Sequence, residues 1–373
     1  MPPSNITSPQ RIARLTPLSA ILALIESRVG AVAPQKSPAA EVRGFMLAED
    51  VVASQCPPHP IALRDGFAVD AATVADASPY APVPLPLTVR RIDVGEPLPS
   101  DADAVLPLDA VTMRGHRAEA VAAVTAGEGV LPAGSDATPR APLRRSGECA
   151  RAIDIVVMRA AGIKDVTIRL PRIAIVRGGE AISPAIDAGL ATLIRVAGEA
   201  GGLVTGRSIG IESALSDEQI AALIAIGGTG SGRHDAAVQT LARLGRVEAH
   251  GIAVSPGDTA AFGFVGARPV LLVPGRLDAA LAIWLLIGRH LVAKLAGGSV
   301  DDVPAMMPLK RKVTSAIGLT ELVPMSCASG MAEPLASGYL SFESLSRSDG
   351  WIVIPADSEG FAAETPVAVR SWP

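Results

Sequence analysis

Aromatic side chains make up only 3% of these 373 residues, although 49% of the sequence is hydrophobic. A core must therefore be built mainly from Ala, Val, Leu and Ile. Cysteine is scarcer still: Cys56, Cys149 and Cys327 are far apart and odd in number. That excludes a disulfide framework and fits a reduced, cytoplasmic protein. The histidines, His59, His116, His234, His250 and His290, form no Cys/His cluster at zinc spacing. An excess of positive charge is also missing. The net charge of −4 argues against a broad basic face for nucleic acid. Long apolar runs are absent. The most apolar helical stretch, Ala279 to Gly288, has about half the ~20 residues that a bilayer span needs, so a buried helix and no membrane contact are expected. The opening MPPSNITSPQRIARLT has no apolar segment of the kind a secretory signal carries. No nucleophile elbow, HExxH motif or Ser-His-Asp order is present.

What is there suggests two to four domains, at ~100–200 residues each. Apolar spacing predicts a helix over Ser19 to Ser27. From Pro57 to Pro107, prolines and short apolar runs alternate, which reads as β structure with turns. Ala104–Leu106 and Ala118–Val124 continue it. Glu148 to Ala161 looks helical and ends at Gly162. Beyond Pro171 strands and helices alternate. Strands are expected at Ile173–Val176, Val204, Leu223–Ile226 and Pro269–Val273. Helices are expected at Ala191–Ala200, Ser216–Ala222, Asp235–Leu244 and Leu277–Leu295. That alternation implies a doubly wound α/β domain. Leu322–Met325, Trp351–Ile354 and Val367–Val369 return to β texture as a small terminal domain.

The sharpest local feature is IAIGGTGSGRHD at 224–235. A buried strand runs into four glycines within six residues, and a helix follows. Glycine lets backbone approach a ligand closely and take positive φ. The N–H groups of such a loop, beside a helix N-terminus, make an anion site. Gly227, Gly228, Thr229, Gly230, Ser231 and Gly232 are the candidate phosphate cradle. The same glycines also suit a plain tight turn. Asp235 either caps the helix or holds a metal on that phosphate. Two more strand-end loops, RGGE at 177–180 and PGR at 274–276, should reach the same sheet edge, where ligands of open α/β sheets bind. Glu180 suits a substrate amine or hydroxyl, and Arg276 a phosphate. Each also suits simple exposure to solvent. Asp65, in the turn of RDGFAV at 64–69, either shapes that turn or serves a site.

Taken in order, these pieces resemble the molybdopterin molybdenumtransferase family, which includes bacterial MoeA and the E domain of gephyrin. RDGFAV is similar to M-D-G-Y-A-V. VGEPLPSDADAVLPLDAV at 94–111 is similar to T-G-A-P-x-P-x-G-A-D-A-V-V. Gly134 to Asp136 resembles G-E-D. IAIVRGGE at 173–180 resembles the strand leading to T-G-D-E. GGTGSGRHD at 227–235 resembles G-G-V-S-V-G-D-Y-D. SPGD at 255–258 falls on K-P-G-K, FGF at 262–264 follows, and PGR falls on P-G-N. SGYLSFESLSRSDGWIVIP at 337–355 resembles the family's last domain.

The resemblance implies a multidomain chain of α/β and β units. Residues 1–50 and 145–170 would form an elongated discontinuous domain, and 51–144 an inserted β domain. Residues 171–298 would form a MogA-like α/β molybdopterin-binding domain, and 299–373 a β-barrel-like domain. It implies a pterin nucleotide, adenylylated molybdopterin, and molybdate as substrates, with Mg2+ held by Asp235 and AMP released. It carries catalytic roles to Asp65, Glu180 and Asp235. Substrate contacts fall on Pro256, Gly257, Pro274, Gly275, Arg276 and Ser337 as well as the glycine loop. It also implies a homodimer with a shared cleft, and a client molybdoenzyme or MogA-like protein as partner. A non-catalytic paralogue, acting as chaperone or scaffold, is the second expectation. It arises because the K-P-G-K lysines are Ser255 and Asp258 here. The small hydroxyl residue expected after P-G-N-P falls on Ala279. Reversing one charge at a dianion site matters: a unit pair at ~4 Å is worth about 4 kcal/mol at an effective dielectric of ~20.

Overall fold

The computed structural model describes residues 10–179, 183–206, 210–232, 235–300 and 303–373. Helix α1, Leu18–Arg28, follows the apolar spacing and buries Ile21 and Ile25. Beyond it, Gln35–Pro38 and Met46–Leu47 flank Asp165–Arg169 in one antiparallel sheet. Segments distant in sequence thus share a sheet, and the intervening chain forms a unit of its own. In that unit Gly66–Val69 pairs with Arg90–Ile92 and Ala104–Pro107, while Arg117–Ala120 pairs with Val83–Pro84 and Val111–Arg114. Val69, Val74, Leu85, Leu106 and Ala120 make its core. Helix α2, Ala152–Ala160, begins later than the sequence pattern predicts. The carbonyls of Glu148 and Ala150 accept from Leu47 and Gly44, so this stretch is tied to the neighbouring chain before the helix starts. Gly162 ends the segment at φ +74° as expected.

The α/β unit runs β1 Arg172–Arg177, α3 Pro184–Glu199, β2 Leu203–Gly206, α4 Ile211–Leu215, β3 Ala222–Ile226 and α5 Ala237–Leu244. It continues with β4 Arg246–His250, β5 Ala261–Val265, β6 Arg268–Val273 and α6 Leu277–Ile283. A π-helical turn, Trp284–Gly288, then leads into α7, Arg289–Leu295. The sheet order is β2-β1-β3-β6-β5-β4. The first four strands are parallel, and β5 and β4 add an antiparallel edge. Both faces are covered. Ile173 and Ile175 point into a core shared with α1, α3 and α6, whereas Ala174 and Val176 point toward α4 and α5. Continuous apolar runs such as ALIAI in β3 suit a parallel strand buried on both faces.

Within the α/β unit two further helices differ from the sequence reading. Helix α3 starts at Pro184, well before Ala191, with Ser183 Oγ accepting from the Ile186 N–H at 3.2 Å. Gly189 is no break: a Cβ there would lie 2.5 Å from Ile226 Cδ1, so glycine permits the close helix–strand approach. The expected helix at Ser216–Ala222 is instead α4 at Ile211–Leu215, followed by a turn. Asp217 Oδ1 accepts from the Gln219 N–H at 2.9 Å, a local bond that competes with helix.

The last unit contains β7 Ala305–Pro308, β8 Thr320–Ala328, β9 Met331–Pro334, helix α8 Phe342–Arg347, β10 Gly350–Ile354 and β11 Pro366–Ser371. Its ladder runs Val254–Ser255, β8, β10, β11, β7, with β9 also on β8. Among the described residues the strand ladder itself is an open path. Near its ends, the isolated bridge Leu309–Ala332 joins the chain after β7 to β9. The strand Val254–Ser255 belongs to the α/β segment, so this sheet stitches the two units together. No helix among the described residues is long and apolar enough to cross a membrane.

Candidate functional site

Strands β1, β3 and β6 are parallel neighbours, so their carboxyl ends deliver three loops side by side. The Gly178 N–H donates to the Ile226 carbonyl at 2.8 Å, and the Gly227 N–H to the Val273 carbonyl at 2.9 Å. A Cβ at Gly178 would lie 2.2 Å from the Gly227 oxygen, and one at Gly228 2.6 Å from the Gly178 oxygen. Gly227 and Gly228 adopt φ +87° and +74°. The position of a Cβ on Gly275 is 3.5 Å from Gly227 Cα. Gly178, Gly227–Gly228 and Pro274–Gly275 therefore form one largely backbone surface, on which the close contacts at 178 and 228 require glycine.

The loop between β3 and α5 is held from three directions. Gln10, reaching in from the N-terminal segment, is 6% exposed. Its Nε2 donates to the carbonyls of Gly228 and Gly230 at 3.0 and 2.8 Å. Its Oε1 accepts from the N–H groups of Val238 and Gln239 at 2.9 and 3.1 Å. Ser231 Oγ donates to the Gln10 carbonyl at 2.7 Å. Gln10 thus caps α5 from outside the helix, and two of the N–H groups expected to meet a phosphate are already engaged. Asp235 Oδ2 accepts from the Gly232 N–H at 2.8 Å. Thr229, 2% exposed, shares a hydroxyl–hydroxyl bond with Thr259 at 3.2 Å, and His250 Nε2 lies 3.0 Å from the Thr229 carbonyl. Arg177, at the end of β1, pairs with Asp187 of α3, and its buried Nε has no hydrogen-bond partner among the described residues. Among the described residues no group of three or more His, Cys, Asp or Glu is placed to hold a metal ion. Asp235 offers a single carboxylate.

The SPGD turn packs against α6, and Thr259, the next residue, links it to Thr229 of the cradle. A Cβ on Gly257 would meet Ile283 Cγ1 at 2.8 Å, and Gly257 has φ +127°. Arg276, immediately before α6, donates from Nε to Asp278 Oδ1 at 3.1 Å and from Nη2 to Oδ2 at 2.5 Å. That bond, with a contribution from the charge of Asp258, raises the Arg276 pKa above the usual arginine value. Asp278 is 3% exposed and also accepts from the Leu340 N–H at 3.2 Å. Ser337 Oγ and the Gly338 N–H donate to Glu321 Oε1 at 2.6 and 2.8 Å. Glu321 is buried, and its register partner is Ser255. Asp258 and Asp278 thus stand against Arg276, whose guanidinium is already held by Asp278.

The structure brings Gly227, Gly228, Pro274 and Gly275 together, with Arg276 beside them. Pro256, Gly257 and Ser337 belong to the second, acidic group through their neighbours. Asp65 is exposed on the inserted unit, where its Oδ1 accepts from the Val94 N–H at 2.9 Å. Glu180 and Arg233 lie outside the described residues. Sequence reasoning missed Gln10, Thr259, Asp278 and Glu321. The acids are legible only as polar residues inside apolar stretches, and nothing local marks Gln10, whose partners are more than 200 positions away.

Residues 16–162 match the family model of the MoeA N-terminal region (domain I and II), and residues 307–372 that of the MoeA C-terminal region (domain IV). A Methanocaldococcus jannaschii protein named for molybdopterin biosynthesis is 30% identical over 152 residues, 40% of this chain and 36% of that protein. The match thus spans about a third of that relative's length. The molybdopterin molybdenumtransferase of Synechococcus elongatus is 24% identical over 384 residues, covering 90% of this chain and 94% of that protein. The crystal structure of the molybdopterin biosynthesis MoeA protein from Pyrococcus horikoshii aligns with TM-score 0.74 at 22% identity, over 96% of this chain and 100% of that one. At that identity the likeness shows the fold.

Proposed function

We propose that this chain, which belongs to the MoeA family, is a molybdopterin-binding protein of molybdenum-cofactor biosynthesis that takes adenylylated molybdopterin at the carboxyl ends of β1, β3 and β6. The observation that carries this reading is the backbone surface made by Gly178, Gly227, Gly228 and Gly275. Close backbone approach without side chains suits a pyrophosphate. Because Gln10 holds the first N–H groups of α5, the anion is assigned to the loop itself and not to the helix end. Asp235 keeps one carboxylate oxygen outside its bond to Gly232. Magnesium is commonly held by one or two carboxylates together with substrate phosphates, so Asp235 fits as its protein ligand. Bound there, the ion would neutralise pyrophosphate charge. The reading includes a homodimer in which Asp65 of one copy faces the cleft of the other; sedimentation as a monomer at working concentration would remove that element.

The family reaction, transfer of molybdate to the dithiolene with release of AMP, needs partners for a dianion. Here Asp258, Asp278 and Glu321 surround the second group, and Arg276 is paired with Asp278. That charge balance favours a binder over a molybdate-inserting enzyme, acting as carrier or scaffold toward a client molybdoenzyme or a MogA-like protein. The test is to incubate the protein with adenylylated molybdopterin, magnesium and molybdate. Retention of the nucleotide without AMP release supports the binder. Turnover at the rate of a lysine-containing homologue means that insertion is intact.

A further inference from the structure

We propose that Tyr339, mounted on Arg276, is a stacking platform for the heteroaromatic ring of the phosphorylated ligand. The inference rests on the reading that the glycine loop binds that ligand's phosphates. Four observations place the ring. Tyr339 is 60% exposed, although the chain holds only two tyrosines and so presents few large rings to solvent. One face of its ring is covered by the Arg276 guanidinium, 5.0 Å from the ring centroid. Arg276 directly follows Gly275, whose backbone lies against Gly227, so the platform borders the glycine loop. The segment that carries Tyr339 is pinned on both sides.

The pinning is unusually complete for an exposed loop. Glu321 holds Ser337 and Gly338, and Asp278 holds the Leu340 N–H. The Tyr339 N–H donates to the Ser337 carbonyl at 2.8 Å, and Ser341 Oγ accepts from Ser344 at the start of α8. Asp278 also fixes both Nε and Nη2 of Arg276, so the guanidinium plane is set by the same buried carboxylate. A guanidinium under one face and a rigid backbone mount leave the opposite face of the phenol ring flat and solvent-facing. An aromatic side chain already immobilised loses little entropy when a second ring stacks on it. Base stacking on such a side chain tolerates any heterocycle with a π-face. The ring is therefore the adenine or the pterin of the ligand, and probes that carry one ring each tell them apart.

The test measures dissociation constants on the full chain by calorimetry, for AMP, ribose 5-phosphate and neopterin. Wild type should bind AMP, neopterin or both more tightly than ribose 5-phosphate. Tyr339→Ala should weaken the ring-bearing ligand about tenfold, in line with the loss of one aromatic stacking partner, and leave ribose 5-phosphate unchanged. Tyr339→Phe should restore it. Tyr339 dependence of AMP assigns the adenine, and of neopterin the pterin. Equal affinities for every ring-bearing ligand in wild type and Tyr339→Ala overturn the platform while ribose 5-phosphate binding keeps the loop reading alive. Absence of binding by all three ligands overturns both.

Discussion

The glycine cradle and the acidic group beside α6 are built by opposite means. In the cradle, backbone meets backbone: Gly178, Gly227 and Gly228 interlock, and a neutral amide, Gln10, satisfies the helix end. Around the SPGD turn, buried carboxylates make the structure. Asp278 and Glu321 each accept from the 337–340 segment: Asp278, on α6, fastens the last unit to the α/β unit, and Glu321 braces the segment within the last unit. The carboxylate of Asp278 beside Arg276 repels a dianion at this place. Loss of the K-P-G-K lysines and retention of buried acids therefore point the same way. On the proposed reading the phosphates go to the first group, while the second is built first to hold the protein together.

The comparison can be broken most forcefully at Gly228. Gly228→Ala places a Cβ against the Gly178 oxygen at a positive φ. It should lower unfolding free energy by about 3 kcal/mol or more in urea titrations; a melt like that of wild type would mean the loops do not interlock. Next comes Asp278→Ala, which strands the buried Leu340 N–H and frees Arg276. A loss of about 2–3 kcal/mol is expected, accompanied by weaker repulsion of anions at α6. Gln10→Ala removes a helix cap supplied from elsewhere in the chain, at about 1–2 kcal/mol. Its stability loss should come with weaker nucleotide binding at the proposed site, since the same amide holds the Gly228 and Gly230 carbonyls of the loop.

The smallest effect is expected outside both halves. The hydrogen bond from Arg151 holds the Asp154 carboxyl below its ordinary pKa, and Arg144 adds to this. A depressed folded pKa contributes stability that is present above the unfolded value of about 4 and is lost as pH falls through the folded value. Asp154→Asn should flatten the stability curve in that acid window and leave AMP affinity at neutral pH untouched. A change in AMP affinity would tie the discontinuous unit to the cleft more closely than its contacts imply.

Much of the scaffold was legible in the sequence because its signals are local. The buried run ALIAI followed by glycines marks β3 and its loop, and Gly162 marks a helix end. Where reading failed, the cause lay in partners far away or in competing short-range bonds. The helix expected from Ala191 starts at Pro184, and Gly189 within it lies against Ile226 of β3. The acidic start at Ser216 read as a helix, but Asp217 bonds its own turn. Within the site, the loops and their order were visible, whereas the occupant of the α5 end was not, since Gln10 approaches from the far N-terminus. Charge loss at Ser255 and Asp258 was visible; the buried positions of Asp278 and Glu321, which deepen it, needed the fold.

The most direct test of the divided cleft is a molybdate titration by calorimetry at low salt, on wild type and on a Ser255→Lys/Asp258→Lys variant, each saturated with AMP. The account predicts AMP binding in both proteins and molybdate binding only in the double variant, at least tenfold tighter than any residual affinity of wild type. Molybdate binding to wild type as tight as to the variant would contradict it.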